Sequence, residues 1–430
     1  MPTRRPNATM NQQEPTFNRA HTQARGCTQA VLLRSVSPTF LSIPSAALIF
    51  VFFFGLMGLA PRSVDAQQAK SVYRFLLLDS HARTAALGGA HPAIPDADYS
   101  LFHVNPAFLA APNGALASTT RSRSNATTST NATTSTNATS ERNSSSAATT
   151  RSNATITPNS TARSFHASYI NHLDDVQYLS ASTQLQKGDF ANLLPFGIPS
   201  LRLPPLALSV RAMHYGDLTG YDETGAETGS LSAGELAVSA GMGDWLHEQI
   251  AWGISATWIH SGLAGYRSGG VAVSAGLHGI SADGKTSIGL TILNAGAQIT
   301  PYDQTREPIP LQIHAGVSQR LEYLPLRYFV TARLRPSDDL RTAGEESLSL
   351  ANRIARSMVI GGEIYFGETV TLRLGYDYLQ GQHTGTGKRI DTAGLHGGLG
   401  IHLKRFDLHL ARTSLSDMGG VLQLSIFYRL

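Results

Sequence analysis

Three sets of side chains in this sequence have types and spacings with chemical potential. His396, His402 and His409 fall on one polar face of two neighbouring segments. Imidazoles facing each other across a hairpin can form a metal pair. In a polar interior the same residues hydrogen-bond to Thr or Asp, and this reading is preferred. Glu363 and Asp377 have the pattern of an acid pair. Ion pairs to Arg373 or Arg333 explain them as well. The run His396-Gly397-Gly398-Leu399-Gly400 has the composition of an oxyanion or phosphate loop. It lies inside an alternating stretch, where small residues make room for neighbours. No Gly-x-Ser-x-Gly nucleophile elbow occurs. An outer-membrane enzyme such as a lipase would need a nucleophile, and none stands out. The expectation is no catalytic residue, no cofactor and no metal.

The elements that carry these residues follow a leader. Of 430 residues, 15% are charged and 40 are Gly. One apolar stretch runs from Ile43 to Ala60, with Arg4, Arg5, Arg19, Arg25 and Arg34 before it and Val64-Asp65-Ala66 after it. That order predicts a signal peptide over 1–66, cleaved after Ala66, with Met10 as an alternative start. A membrane anchor needs ~20 apolar residues, and Pro44 and Gly55 interrupt this one. Six of the 34 basic and two of the 30 acidic residues lie in the leader, which leaves 28 of each. A neutral mature chain does not imply a nucleic-acid partner. Cys27, the only cysteine, also precedes the cut, so no disulfide or thiolate site is expected beyond it.

Residues 67–117 form a distinct segment. Residues 118–164 are rich in Ser, Thr, Asn and Ala, with Asn-Ala-Thr at Asn125, Asn131, Asn137 and Asn153. So little there can be buried that disorder is expected. The Asn-x-Thr triplets follow from the polar repeat itself and need not be glycosylation sites.

From Phe165 to Leu430 the chain alternates. Ile250, Trp252, Ile254, Ala256 and Trp258 share one face; Gly253, Ser255 and Thr257 share the other. Val370 to Tyr378 and Thr392 to Leu403 behave alike. Period two is the strand signal. Fourteen strands are expected, at about 165–170, 176–185, 206–214, 234–243, 250–260, 269–281, 286–294, 310–320, 327–335, 356–366, 370–379, 392–403, 406–413 and 421–428. Mid-strand charges such as Arg333, Glu363, Arg373 and Asp377 suit a polar lumen. After the first three strands, long connections (215–233, 261–268, 295–309, 336–355, 380–391, 414–420) alternate with short ones. That rhythm predicts an all-β, 14-stranded antiparallel transmembrane β-barrel with short periplasmic turns and long external loops. The proline-rich stretch 186–205 breaks the rhythm and reads as an insertion. The final strand carries Leu422, Leu424, Ile426, Tyr428 and Leu430 on one face.

Residues 71–114 hold the most specific motifs. Ser80 to Gly89 reads as a short Ala-rich helix with a Gly88-Gly89 stop, followed by Asp96, Asp98 and Asn105-Pro106-Ala107-Phe108-Leu109. This resembles the leading segment of the PorV/PorQ group of barrels, related in fold to FadL-type transporters, although His81 interrupts the first motif. Resemblance to PorQ-like members extends to Phe75-Leu76-Leu77-Leu78, Asn294-Ala295-Gly296, Arg306-Glu307-Pro308-Ile309-Pro310 and Gly375-Tyr376-Asp377-Tyr378. It covers 71–117 and 165–430.

The resemblance implies an outer-membrane component of type IX secretion in a diderm bacterium. Such a component helps exported cargo attach at the surface and holds a surface partner (PorZ), without a cofactor. It also implies an N-terminal, partly helical plug, in which Arg83, Gly88, Gly89, Asn105, Pro106 and Ala107 are structural. The alternative is a FadL-like channel for small hydrophobic molecules. An apolar lumen patch and a lateral gap would favour the channel; polar inward faces and large loops favour a docking scaffold.

Overall fold

A computed structural model describes residues 71–110, 164–172, 176–185, 204–336, 340–341, 347–386, 391–416 and 419–430. The expected leader 1–66 with Cys27, the tract 118–164 apart from Ser164, and 186–203 of the insertion lie outside the described residues.

Fourteen strands close into one antiparallel barrel in chain order, as the alternation predicts. They are β1 (Ser164–Asn171), β2 (Gln177–Leu185), β3 (Leu206–Tyr221), β4 (Glu227–His247), β5 (Ile250–Leu263), β6 (Tyr266–Ile280) and β7 (Thr286–Thr300). The remainder are β8 (Gln312–Arg320), β9 (Leu326–Leu334), β10 (Met358–Phe366), β11 (Val370–Asp377), β12 (Leu395–His402), β13 (Phe406–Ser414) and β14 (Gly420–Arg429). The first strand closes on the last, with Ser164 opposite Arg429 and Asn171 opposite Leu422. Over the height that all fourteen share, each strand is therefore paired on both sides, which is what a membrane interior demands of backbone N–H and C=O groups.

Burial is inverted relative to a water-soluble protein. On β5, Ile254 and Trp258 are exposed on the outer face while Ser255 and Thr257 are buried within. On β14, Leu422, Leu424 and Ile426 face outward and Gln423 and Ser425 inward. An apolar exterior around a polar interior is stable only where lipid replaces water outside.

Several elements differ from the expectation. β3 and β4 extend well past the expected 214 and 234, pairing out to Tyr221 opposite Glu227. Apolar alternation stops there because neither face needs lipid or core, yet the backbone ladder continues. Asp222 closes the hairpin by accepting from the backbone N–H groups of Thr224 and Ala226, each at 2.9 Å. Short helices α2 (Leu350–Arg356) and α3 (Tyr378–Thr384) occupy parts of the expected loops 336–355 and 380–391. Their caps, Ser349 and Asp377, are single residues whose signal is lost within a loop.

The expected hairpin over 365–378 forms as far as Asp377, with Phe366 opposite Val370 and Val359 opposite Asp377, and Tyr378 instead begins α3. Gly367 turns it at φ +67°, a backbone region that glycine enters without steric cost.

A charge on the outer face tests the membrane reading. Ile254→Arg, near the middle of β5, should lower folding free energy in lipid vesicles by about 2–4 kcal/mol. Denaturant unfolding of the refolded barrel measures it; an unchanged midpoint would contradict a lipid-facing β5.

Candidate functional site

The lumen is filled by residues 71–110. They form a turn at Arg74–Leu77, helix α1 (Ala82–Ala86) and two further 3-10 turns, Tyr99–Leu101 and Pro106–Ala110. Nearly all of this segment is buried, so it is a plug packed against the inner wall.

Charge holds the plug at its centre. Glu363 on β10 is 0% exposed. It accepts from Arg83 Nε of the plug at 2.8 Å and from Arg373 Nε of β11 at 2.8 Å. Tyr365 Oη donates to it at 2.8 Å. Arg83 reaches on to Asp96 Oδ1 at 2.9 Å, which ties two parts of the plug together. A second pair, Arg333 to Asp377 at 2.7 Å, joins β9 to β11. Glu363 and Asp377 are thus separate ion-pair partners.

The Asn105-Pro106-Ala107 motif is a clasp. Asn105 Nδ2 donates to the Pro92 carbonyl at 2.8 Å and to the Leu277 carbonyl of β6 at 3.1 Å. Its Oδ1 accepts from Ala107 N at 3.0 Å, capping the last turn. Pro106 lacks an N–H to satisfy and begins that turn with its φ already set. A Cβ added at Gly276 would overlap Asn105 Oδ1, and one at Gly253 would overlap the Pro106 carbonyl. The clasp therefore needs bare backbone opposite it.

Gly88 (φ +96°) and Gly89 (φ +82°) end α1 and turn the chain. The plug backbone at Leu87 lies against Gly375 of β11, where any side chain would collide. The glycines of the run 396–400 serve packing too. Gly398 accommodates Ala86, and Gly400 accommodates the Arg373 guanidinium.

The six plug residues named from the sequence divide into these three contacts. Arg83 sits in the charge cluster, Gly88 and Gly89 in the turn, and Asn105, Pro106 and Ala107 in the clasp. His396 pairs with Thr413 Oγ1 at 3.0 Å and His402 with Asp407 Oδ1 at 3.0 Å. His409 Nδ1 lies 3.1 Å from Arg373 Nη1. Among the described residues no three His, Cys, Asp or Glu side chains converge as a metal site would require.

Several plug anchors escaped sequence reasoning. His81, the residue that loosens the first motif, caps α1 by accepting from Arg83 N at 3.0 Å. Its ring stacks on His166 with centroids 4.6 Å apart. His91 Nε2 donates to the Leu87 carbonyl at 2.8 Å, so its Nδ1 accepts from Thr331 Oγ1 at 2.9 Å. Burial pushes the His91 pKa down to about 4, in keeping with a neutral ring. The letters Gly279-Ile280-Ser281-Ala282-Asp283-Gly284-Lys285-Thr286 also fit a P-loop pattern. Here they form the end of β6, a tight turn and the start of β7. No helix follows, so no N-terminal amides gather around a phosphate.

The outer rim steps down between β7 and β8, as it does between β3 and β2. β7 pairs with β8 only from Thr286 to Leu293. Asn294 then adopts φ +59°, the β6–β7 register shifts, and β7 continues to Thr300 on β6 alone. The chain returns inside the barrel. Glu307 N donates to Gln298 Oε1 at 2.8 Å, and Ile309 is buried. Ile309 joins an apolar cluster with Val72, Tyr73, Phe75, Ile170, Tyr178 and Ile259.

No family model and no curated relative matches the chain. Solved structures similar to it include the Pseudomonas putida toluene transporter TodX, at 10% identity and a TM-score of 0.35, covering 62% of this chain and 88% of that one. A Pseudomonas aeruginosa FadL homologue shows 8% identity and a TM-score of 0.33 over 62% and 89%. The Acinetobacter baumannii outer membrane protein Omp33 shows 6% identity and a TM-score of 0.31 over 63% and 98%. The barrel assignment rests on the strand pairing rather than on these likenesses.

Two measurements probe the plug. Removing one partner from a buried charge cluster strands the others, so Glu363→Ala should cost about 3–5 kcal/mol in urea unfolding. Breaking the exposed Lys285–Glu322 pair should cost under about 1 kcal/mol. Equal effects would argue against the cluster as the plug's main anchor.

Asp79 provides a pH test. Burial pushes its pKa up from 3.8 to about 6. The folded state holds the proton more tightly than the unfolded chain, so this group's contribution worsens as pH rises from about 4 to 6. Asp79→Asn should therefore stabilise the barrel at pH 8 and leave it unchanged at pH 3. Thermal unfolding at both pH values reads the difference.

Proposed function

We propose that this protein is a non-enzymatic outer-membrane channel of FadL-like design, taking up small hydrophobic molecules through its external mouth. The separation of β7 from β8 beyond Leu293 carries this reading. Beyond that point the edge of β7 has no strand beside it, which leaves an apolar solute a way out past the rim of β8. The apolar cluster that includes Tyr73 and Ile309 extends from Ile170 on β1 to Ala272 on β6, next to β7. Passage requires the plug to shift, because its side chains occupy the lumen. The bilayer around the outer face is the lipid partner, and a cleaved leader would deliver the chain to it.

A second reading is supported by the order of the PorQ-like motifs and by the exposed hairpin over 215–233. It is a type IX secretion component that anchors a PorZ-like surface partner and helps cargo attach. One deletion strain separates the two. The channel reading expects reduced uptake of a small hydrophobic probe such as toluene, with cargo display at the surface unchanged. Normal uptake with lost cargo display would overturn it in favour of the secretion reading.

A further inference from the structure

A cavity of about 40 Å³ lies between the plug and the wall, beside Leu293 and Gln312 at the point where β7 and β8 part. Its polar lining includes Arg211, Arg333, Arg335, His103, His314 and Asp79. Two of these side chains are almost wholly buried yet incompletely bonded. His314 is 3% exposed, and neither ring nitrogen has a hydrogen-bond partner. Arg211 is 3% exposed, and its Nε has none.

Buried polar atoms are normally satisfied, and an unsatisfied one calls for a water or an ion. Charge decides between the two. Three guanidiniums line the cavity: Arg333 pairs with Asp377, Arg335 donates to Gln312 and lies in the field of Asp79, and Arg211 is the third. The group nearest to Arg211 in charge terms is the Tyr178 hydroxyl, which is neutral. Water can satisfy Nε–H but cannot compensate a desolvated guanidinium, and an anion does both.

Size narrows the choice. One water needs roughly 10–15 Å³ of such volume, so the cavity holds about three heavy atoms. We infer that this cavity is a binding site for a small anion of formate size, held by the Arg211 guanidinium and a ring N–H of His314. The site is separate from the apolar cluster and does not depend on the channel reading.

The full chain, refolded in detergent, provides the test. Thermal unfolding is followed in sodium formate and in sodium gluconate at equal ionic strength, since gluconate is too large to enter. Formate should raise the melting temperature saturably and gluconate should not. Arg211→Gln should weaken the formate response at least tenfold. An equal rise in both salts, or an unchanged formate response in Arg211→Gln, overturns the site. Crystals of the unaltered protein grown in bromide give a second readout that needs no variant. An anomalous peak within reach of Arg211 and His314 supports the proposal, and ordinary water density there overturns it.

Discussion

The fold depends on one carboxylate that cannot stand alone. Glu363 projects into a lumen shut off from water, where an unpaired charge is untenable. Its two guanidinium partners come from different places: Arg373 from the next strand and Arg83 from 280 residues earlier in the chain. Barrel and plug therefore complete each other. Without the plug, Glu363 keeps only one guanidinium, that of Arg373. A polar lumen, which a membrane barrel has because its apolar side chains face lipid, becomes stable here by being filled with matched polar groups.

The filling is close because the wall is bare where the plug presses hardest. Gly253, Gly276 and Gly375 on three different strands each face plug backbone or the Asn105 side chain. Gly289 does the same for the Pro92 carbonyl. Glycine weakens a strand in isolation, since it has no side chain to pack. Ladder closure on both sides offsets that weakness, and the plug gains backbone-to-backbone contact. Among the large side chains that point inward, Phe329 joins a cluster with Leu87, Ile94 and Phe108 of the plug, and Phe427 packs against Tyr99.

The same arrangement explains where the molecule is open to function. Plug and wall match over most of the lumen, and one of the two steps in the outer rim lies at β7. There Asn294 shifts the register, the ladder to β8 stops, and the chain between the two strands folds inward. The step in the rim and the cavity lined by Arg211, Arg333 and Arg335 meet in this region. Each histidine and carboxylate that suggested chemistry from spacing is engaged in an ion pair or a hydrogen bond.

Much of the wall was legible in the sequence by itself. Period-two alternation located all fourteen strands, because each outward position must be apolar to face lipid and each inward one need not be. The assignment of Glu363 and Asp377 to ion pairs, and of His396 and His402 to Thr or Asp partners, followed from the same face. Alternation was silent where lipid no longer selects residues, so the extension of β3 and β4 and the helices α2 and α3 emerged only from backbone pairing and capping. Tertiary structure alone decided that Asn105 clasps β6, that His81 caps α1, and that Gly375 faces Leu87. These contacts join residues between two and nearly three hundred positions apart, and no local pattern encodes a partner across a closed barrel. The parting of β7 from β8 belongs to the same class. Residues 295–309 read as a loop, and only the paired ladder shows that half of it is strand with one neighbour.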